Sequence, residues 1–385
     1  MAIVLFDKHL HTQLLPLTYT RSVAGLRSGI FTIQEYWETV SGEDVFVETV
    51  DYLQSLYPDI PEDEHLFVDA GIFATASLTQ QILQLKKGEA LEDEYGLLAA
   101  RVTGASFTAA SAIINRVSPE ESVKRIIHPW QIFQWNDKAI ERDFALIKNV
   151  RSSAAIAATN QLINAADIFI EEGAVVEYAF LNASAGPIYI GKDAIIMEGS
   201  LMRGPFALGE ESVVKMGAKI YGGTSIGPGC TIGGELKNVV MQGYSNKAHD
   251  GYLGDSVIGE WCNFGAGTSN SNVKNTASDI KMWHIASGKL VSAGIKCGLV
   301  MGDYSRTAIN TSINSGTTIG ICCNIFGEGL TPKLLHSFTW GMRGLTRYEF
   351  EKALKDIDNW KKFKHQSLSD DDTAVLKHIF EHFSD

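Results

Sequence analysis

The chain has 385 residues, 45% of them apolar and 20% charged, with a net charge of −12 and 36 glycines. That length allows two or three domains with full cores. The acidic balance argues against a nucleic-acid or anionic-membrane surface, but anionic small substrates stay open because a few local lysines or arginines suffice for them. No apolar run is long enough for a bilayer, and the first residues lack the basic start and length of a signal peptide. The protein is therefore expected in the cytoplasm.

In chain order, Ala2–Phe6 reads as a buried strand and 31–38 as an amphipathic helix. Short strands follow at 45–47 and 66–68, and 77–87 has helical spacing. Strands alternating with helices predict an α/β unit with a mainly parallel sheet over residues 1–127. Between the first strand and helix lies Leu14-Leu15-Pro16-Leu17-Thr18-Tyr19-Thr20-Arg21-Ser22-Val23. This run resembles the start of sugar-1-phosphate nucleotidyltransferases, in which a Gly-rich loop ending G-T-R-L-x-P-L-T cradles phosphates on its backbone N–H groups. The resemblance implies a truncated, Rossmann-type nucleotidyltransferase-like domain. Aligned through Pro16-Leu17-Thr18, Lys8, His9 and His11 stand where the glycines belong, Gln13 where an Arg belongs and Val23 where a Lys belongs. The loop is not intact, and without glycines a backbone cannot approach a phosphate closely. Arg21, Lys8 and Gln13 remain as candidates for the nucleotide, and Asp7 and Asp69 as candidate carboxylates for Mg²⁺.

Residues 128–163 open with His128-Pro129-Trp130 and continue as an aliphatic-rich helix. They resemble the bridge of bifunctional sugar-nucleotide enzymes and are read as a packing connector without chemistry.

From 164 to 335 a beat takes over. Ile190-Gly191, Leu208-Gly209 and Ile226-Gly227 fall 18 residues apart, which is three hexapeptides. One inward aliphatic per short strand with a Gly-rich turn after it marks a parallel β-helix, three strands to a coil. A Val/Ile-rich sandwich needs no such common step. The stretch 243–252 reads as a loop that interrupts the beat. Five cysteines, Cys230, Cys262, Cys297, Cys322 and Cys323, all lie in this region, with no metal-type spacing, and read as reduced core thiols.

After the loop comes Tyr252-Leu253-Gly254-Asp255, then Asn263-Phe264-Gly265-Ala266-Gly267-Thr268. With Lys237, His249 and Asn272, this ordered set resembles the acetyltransferase domain of the bifunctional glucosamine-1-phosphate N-acetyltransferase/N-acetylglucosamine-1-phosphate uridyltransferase family. The resemblance implies a left-handed parallel β-helix, acetyl-CoA as donor and a homotrimer. It makes His249 the general base toward the sugar amine, a role that suits an imidazole. Lys237, Lys274 and Tyr252 serve the sugar phosphate, joined by Lys215 or Lys219 one coil earlier. Asn263 and Asn272 hold hydroxyls and amine, or act as turn residues. Gly265 and Ala266 keep the wall low beside the thioester, and Arg306 either faces the CoA phosphates or is solvated. Asn272-Val273-Lys274 follows the archaeal and Bacteroidetes pattern rather than the bacterial Asn-Tyr.

The tail, 336–385, holds amphipathic segments at 347–362 and 370–383, the second capped by Ser369. Three readings follow. The leading one is an acetyl-CoA-dependent N-acetyltransferase of a hexosamine 1-phosphate, serving UDP-N-acetylglucosamine synthesis, fused to a divergent nucleotidyltransferase domain. The second is an active nucleotidyltransferase using UTP or dTTP with Mg²⁺, the β-helix serving assembly. The third is a non-catalytic sugar-nucleotide-binding protein.

Overall fold

The computed structural model describes residues 2–107, 113–342 and 346–383. Two compact units emerge: the first comprises Met1–Leu14, Arg21–Leu26 and Phe31–Ile127, and the second comprises Leu15–Thr20, Arg27–Ile30 and His128–Asp385. The Pro16-Leu17-Thr18 run that aligns with the nucleotidyltransferases is thus counted with the second unit.

The first unit is built on a six-stranded sheet. Ala2–Phe6 lies between Val45–Glu48 and Glu64–Asp69, parallel to both, as a strand buried on both faces should. Beyond Glu64–Asp69 the sheet turns mixed, because Gly96–Thr103 runs antiparallel to it and to Glu89–Asp93. The helix Ile33–Ser41 begins at a capping box: Thr32 accepts from the Glu35 amide, and the Glu35 side chain accepts from the Thr32 amide.

In the second unit, Gln131–Gln134 and Asn136–Val150 are helices, and the coils follow. Two long parallel sheets carry most of the β-helix. Ile188 pairs with Phe206 and Phe206 with Thr224, so each coil advances by 18 residues. Inward aliphatics stack coil on coil into one core that includes Ile190, Leu208, Ile226, Met241, Ile258, Met301 and Ile319. Corners that tighten the prism hold non-glycine residues in the left-handed region: Asp193, Glu211, Tyr244, Trp261, Tyr304 and Cys322 have φ between 51° and 61°. All five cysteines are free and buried; burial pushes the Cys230 thiol up to about 12 and that of Cys262 higher still.

The stretch 243–252 does not leave the prism. Tyr244 turns a corner with its ring stacked on Trp261 at 4.7 Å, Asn246–Lys247 is a strand in register with Thr231–Ile232, and a short turn returns the chain to Tyr252. What changes there is the step, which falls to 16 from Lys219 to Glu235, to 15 from Thr231 to Asn246 and to 17 from Glu235 to Tyr252. The true excursion comes later. Ile258 pairs with Met301, and the intervening chain carries an antiparallel hairpin, Lys281–His284 with Lys289–Ser292.

The tail forms the helices Phe350–Lys362 and Asp370–His382. Ser369 caps the second and closes a capping box with Asp372.

Candidate active site

The strand Glu235–Gly243 presents Glu235 and Lys237 outward and buries Leu236. Beside it, Tyr252–Glu260 places Tyr252 opposite Glu235 and Gly254 opposite Lys237. Gly254 is required here, since a Cβ would lie 2.2 Å from the Tyr252 hydroxyl. That hydroxyl meets Asn272 Nδ2 at 2.9 Å, and Asn272 Nδ2 also donates to Asp255 Oδ2 at 2.5 Å. The other oxygen of Asp255 accepts from Asn238 Nδ2 at 2.8 Å. Asp255 is 3% exposed, so its carboxylate is stabilised by these amides rather than by water. Burial first, then Asp255 and Glu235, pushes the Tyr252 phenol up to about 12, which leaves it a proton donor at neutral pH.

His249 sits at the corner that opens this pair of strands. Its carbonyl and that of Gly251 pack against Gly234, and the Glu235 amide donates to Gly251 O at 3.2 Å. The side chain is exposed. Lys215 is exposed as well, two coils before His249 and one before Lys237. Upstream along the same sheet the outward residues continue as a groove of about 490 Å³ lined by Ile163, Phe180, Leu201, Arg203, Lys219 and Tyr221.

Other expected residues stand elsewhere. Asn263 belongs to the second long sheet, not to that of Lys237 and Tyr252, and its Oδ1 accepts from Asn246 Nδ2 at 2.9 Å. The Gly265 amide is already bonded to Thr307 O at 3.1 Å, and Ala266 lies in the turn after it. Lys274 Nζ donates to the Asp279 carbonyl. Arg306 is not solvated: it stands in the outward row between Asn263 and Asn324 but is 8% exposed, with its guanidinium 5.4 Å from the Trp360 ring of a C-terminal helix. Burial lowers its basicity, and its Nε and Nη2 have no partner among the described residues.

The first unit has its own cavity of about 660 Å³, lined by Phe6, His9, Leu10, Gln13, Asp69, Tyr95, Leu97, Phe107, Val123, Arg125 and Ile127. It opens at the ends of the strands Ala2–Phe6 and Glu64–Asp69, where α/β sheets bind ligands. Of the expected nucleotide contacts, Gln13 lines it. Lys8 is paired instead with Glu48 and Asp51 at 3.7 and 3.8 Å, and Arg21 is not among the lining residues. Arg125 is committed: its two terminal nitrogens bind the Asp93 carboxylate at 2.6 and 2.8 Å, and one also reaches Gly96 O at 3.1 Å.

These residues do not fit a divalent metal. Asp69 already faces His9 at 3.4 Å and Arg125 at 3.8 Å, and accepts the Gly71 amide at 2.8 Å. The hydrogen bond to Asp69, against burial, raises the basicity of His9. Asp7 accepts the Val23 amide, and burial pushes its carboxyl up to about 6. Among the described residues no group of three or more His, Cys, Asp or Glu could hold a metal ion. Within the same limits, no helix is long and apolar enough to cross a membrane.

The family model described as sugar nucleotidyl transferase matches residues 3–152. The bifunctional protein GlmU of Methanocaldococcus jannaschii is 34% identical over 106 residues, which is 28% of this chain and 26% of that protein. A bifunctional sugar-1-phosphate nucleotidylyltransferase/acetyltransferase of Sulfurisphaera tokodaii is 40% identical over 91 residues, 23% of this chain and 22% of its own. The bifunctional protein GlmU of Trichodesmium erythraeum is 28% identical over 154 residues, 39% of this chain and 29% of its own. The chain thus spans under a third of the length of each of these relatives.

Proposed function

This chain carries a sugar nucleotidyl transferase domain joined to a parallel β-helix and has bifunctional nucleotidyltransferase/acetyltransferases as relatives, and we propose that its working chemistry is acetyl transfer from acetyl-CoA to the amine of a hexosamine 1-phosphate. Glucosamine 1-phosphate, in UDP-N-acetylglucosamine synthesis, is the substrate this reading names. The observation that carries it is the connected set Tyr252, Asp255 and Asn238 on the strand pair that presents Lys237, joined by Asn272 from a loop, beside the His249 corner.

The roles follow from the chemistry. The amine nitrogen attacks the thioester carbonyl carbon, and His249 accepts the proton that the amine loses. The oxyanion collapses, the carbon–sulfur bond breaks, and the proton passes to the CoA thiolate, giving amide and thiol. Lys237, with Lys215 at the adjacent coil, supplies positive charge to the phosphate. Tyr252 donates from its phenol, and Asn272, held by Asp255, has its carbonyl oxygen left for a hydroxyl or amine. Asn263, Gly265, Ala266 and Lys274 belong to this reading as contacts of the donor or sugar. Arg306 reaches CoA in it only if the helix bearing Trp360 moves. A homotrimer fits the exposed Ile163, Phe180 and Leu201 of the groove, which a second copy would cover.

Thiol release from acetyl-CoA with glucosamine 1-phosphate tests the reading. Equal rates for wild type and His249→Ala would sink it.

Nucleotidyl transfer with UTP or dTTP is a second reading, favoured by the family match and by the cavity that Gln13 lines. Against it, Arg125 and Asp69 neutralise each other and their neighbours, so neither is left for a metal triphosphate. Pyrophosphate release with the sugar phosphate decides it.

A further inference from the structure

One inward row of the β-helix contains a residue that does not belong to its chemistry. Val176, Ile196, Val214 and Ile232 stand in register coil by coil, and the next residue in that row is Lys247. Asn246 pairs with Asn263, so Phe264 comes next. A lysine, 2% exposed, therefore occupies an aliphatic position between Ile232 and Phe264. Its Nζ donates to the Gly233 carbonyl at 3.4 Å and, at closer range, to the carbonyl of His249. Among the described residues no carboxylate forms an ion pair with it.

A buried ammonium that only carbonyls receive costs stability, and an apolar side chain of equal length would pack this row without that cost. What the ammonium does secure is local. The 248–251 turn has few other ties: Asp250 O accepts from the Gly267 amide at 3.0 Å, and Gly251 O accepts from Glu235. His249 itself is gripped through its carbonyl from inside the prism.

We propose that Lys247 is a positioning residue that fixes the backbone of His249 from the interior of the coil, so that the imidazole outside is held where the amine must lose its proton. This rests on the reading of His249 as the base.

Burial pushes the Lys247 ammonium down to about 8 from its ordinary 10.5, with Asp250 acting the other way. Asp250 and His249 share its turn, and Lys215 leaves the coil beside Gly233. Between pH 8 and 10.5 the unfolded chain binds the extra proton, so the stability penalty is complete below 8 and shrinks as pH rises above it.

The test uses the 385-residue chain with Lys247→Met, Lys247→Gln, His249→Ala and the Met/Ala double variant. Lys247→Met should have a Tm equal to or above wild type at pH 7, with any gain closing above pH 8. Its kcat for thiol release should fall about 10- to 100-fold, with KM for acetyl-CoA within about twofold, as expected when a reacting group is misplaced. Lys247→Gln, which keeps an N–H donor, should recover part of the rate. In the His249→Ala background, Lys247→Met should add nothing. Hydrogen exchange at amides 248–251 should quicken in Lys247→Met while neighbouring strands keep their protection.

Wild-type kcat in Lys247→Met, or unchanged exchange in the turn, overturns the proposal while His249→Ala stays inactive. An active His249→Ala instead removes the base reading and the positioning role with it. If Lys247→Met does not fold, the same readouts on Lys247→Gln decide, with its exchange expected between the two.

Discussion

The cavity of the α/β unit and the strand pair that begins at His249 are both rich in polar groups, yet they dispose of them differently. In the cavity, His9, Asp69, Arg125 and Asp93 form a closed chain of ion pairs, each charge answered by a neighbour. On the β-helix, Asn238, Asp255 and Asn272 are satisfied mutually, but they hold Tyr252 beside an outward Lys237 and an exposed His249. The first pattern stabilises a fold. The second holds some groups still so that others can meet a ligand.

The contrast predicts a crossed pair of outcomes. His249→Ala should lower thiol release by roughly 10²- to 10⁴-fold, the range for loss of a general base. Because the side chain is exposed, the Tm should not move measurably. Arg125→Ala should do the reverse. It leaves the half-buried Asp93 without its cation and the buried Asp69 with His9 and the Gly71 amide alone, a loss of about 1–3 kcal/mol. Hydrogen exchange read on Ala2–Phe6 and Glu64–Asp69 should quicken, while thiol release per folded molecule stays at the wild-type level. Abolished thiol release in a folded Arg125→Ala protein would instead mean that the two regions do not divide stability and chemistry between them.

Gly254→Ala sharpens the comparison within the β-helix. The new methyl would sit 2.2 Å from the Tyr252 hydroxyl, so the ring must swing away from Asn272. Activity should fall about 10-fold or more, with KM for the sugar phosphate rising. The neighbouring coils, packed on their inward faces, should keep their stability. Tyr252→Phe supplies the control, because it removes the hydroxyl without displacing the ring.

Parts of this were legible in the residues alone, and the reasons are physical. A β-helix needs one inward aliphatic per side, so Ile190, Leu208 and Ile226 announced the coil by spacing. The α/β unit was legible because Ala2–Phe6, buried on both faces, must be apolar throughout. Ser369 with Asp372 was a readable helix start. The 243–252 stretch misled for the same reason that the coil was readable: its inward position holds Lys247, and a pattern that treats lysine as outward sees a break where the chain continues. The hairpin of Lys281–His284 and Lys289–Ser292 went unseen, although Gly288, at φ 59°, marked its turn. The resemblance sets Tyr252 and Asn272 in one ordered set with separate roles, and their direct hydrogen bond is visible only in the fold. Nothing in the sequence neighbourhood of Arg306 says that a helix beginning at Phe350 covers it, so its burial is not legible there.

The smallest effect concerns Asp7, where the closed character of the α/β unit can be tested by pH. Its carboxyl is pushed up to about 6 by burial, above its ordinary 3.8, although the Val23 amide favours the charged form. The native state therefore holds a proton between pH 4 and 6 that the unfolded chain has released. Stability from this group falls as pH rises through that window and stays low above it. Asp7→Asn keeps an oxygen for the Val23 amide and removes the charge. It should raise the stability of the α/β unit at pH 7 by no more than about 3 kcal/mol and have almost no effect at pH 4. Exchange protection of Ala2–Phe6 at the two pH values would report it. A loss of stability at pH 7 would mean that the Asp7 charge is answered by a group that the ion-pair chain of the cavity does not include, and the α/β unit would then hold a charged site of its own.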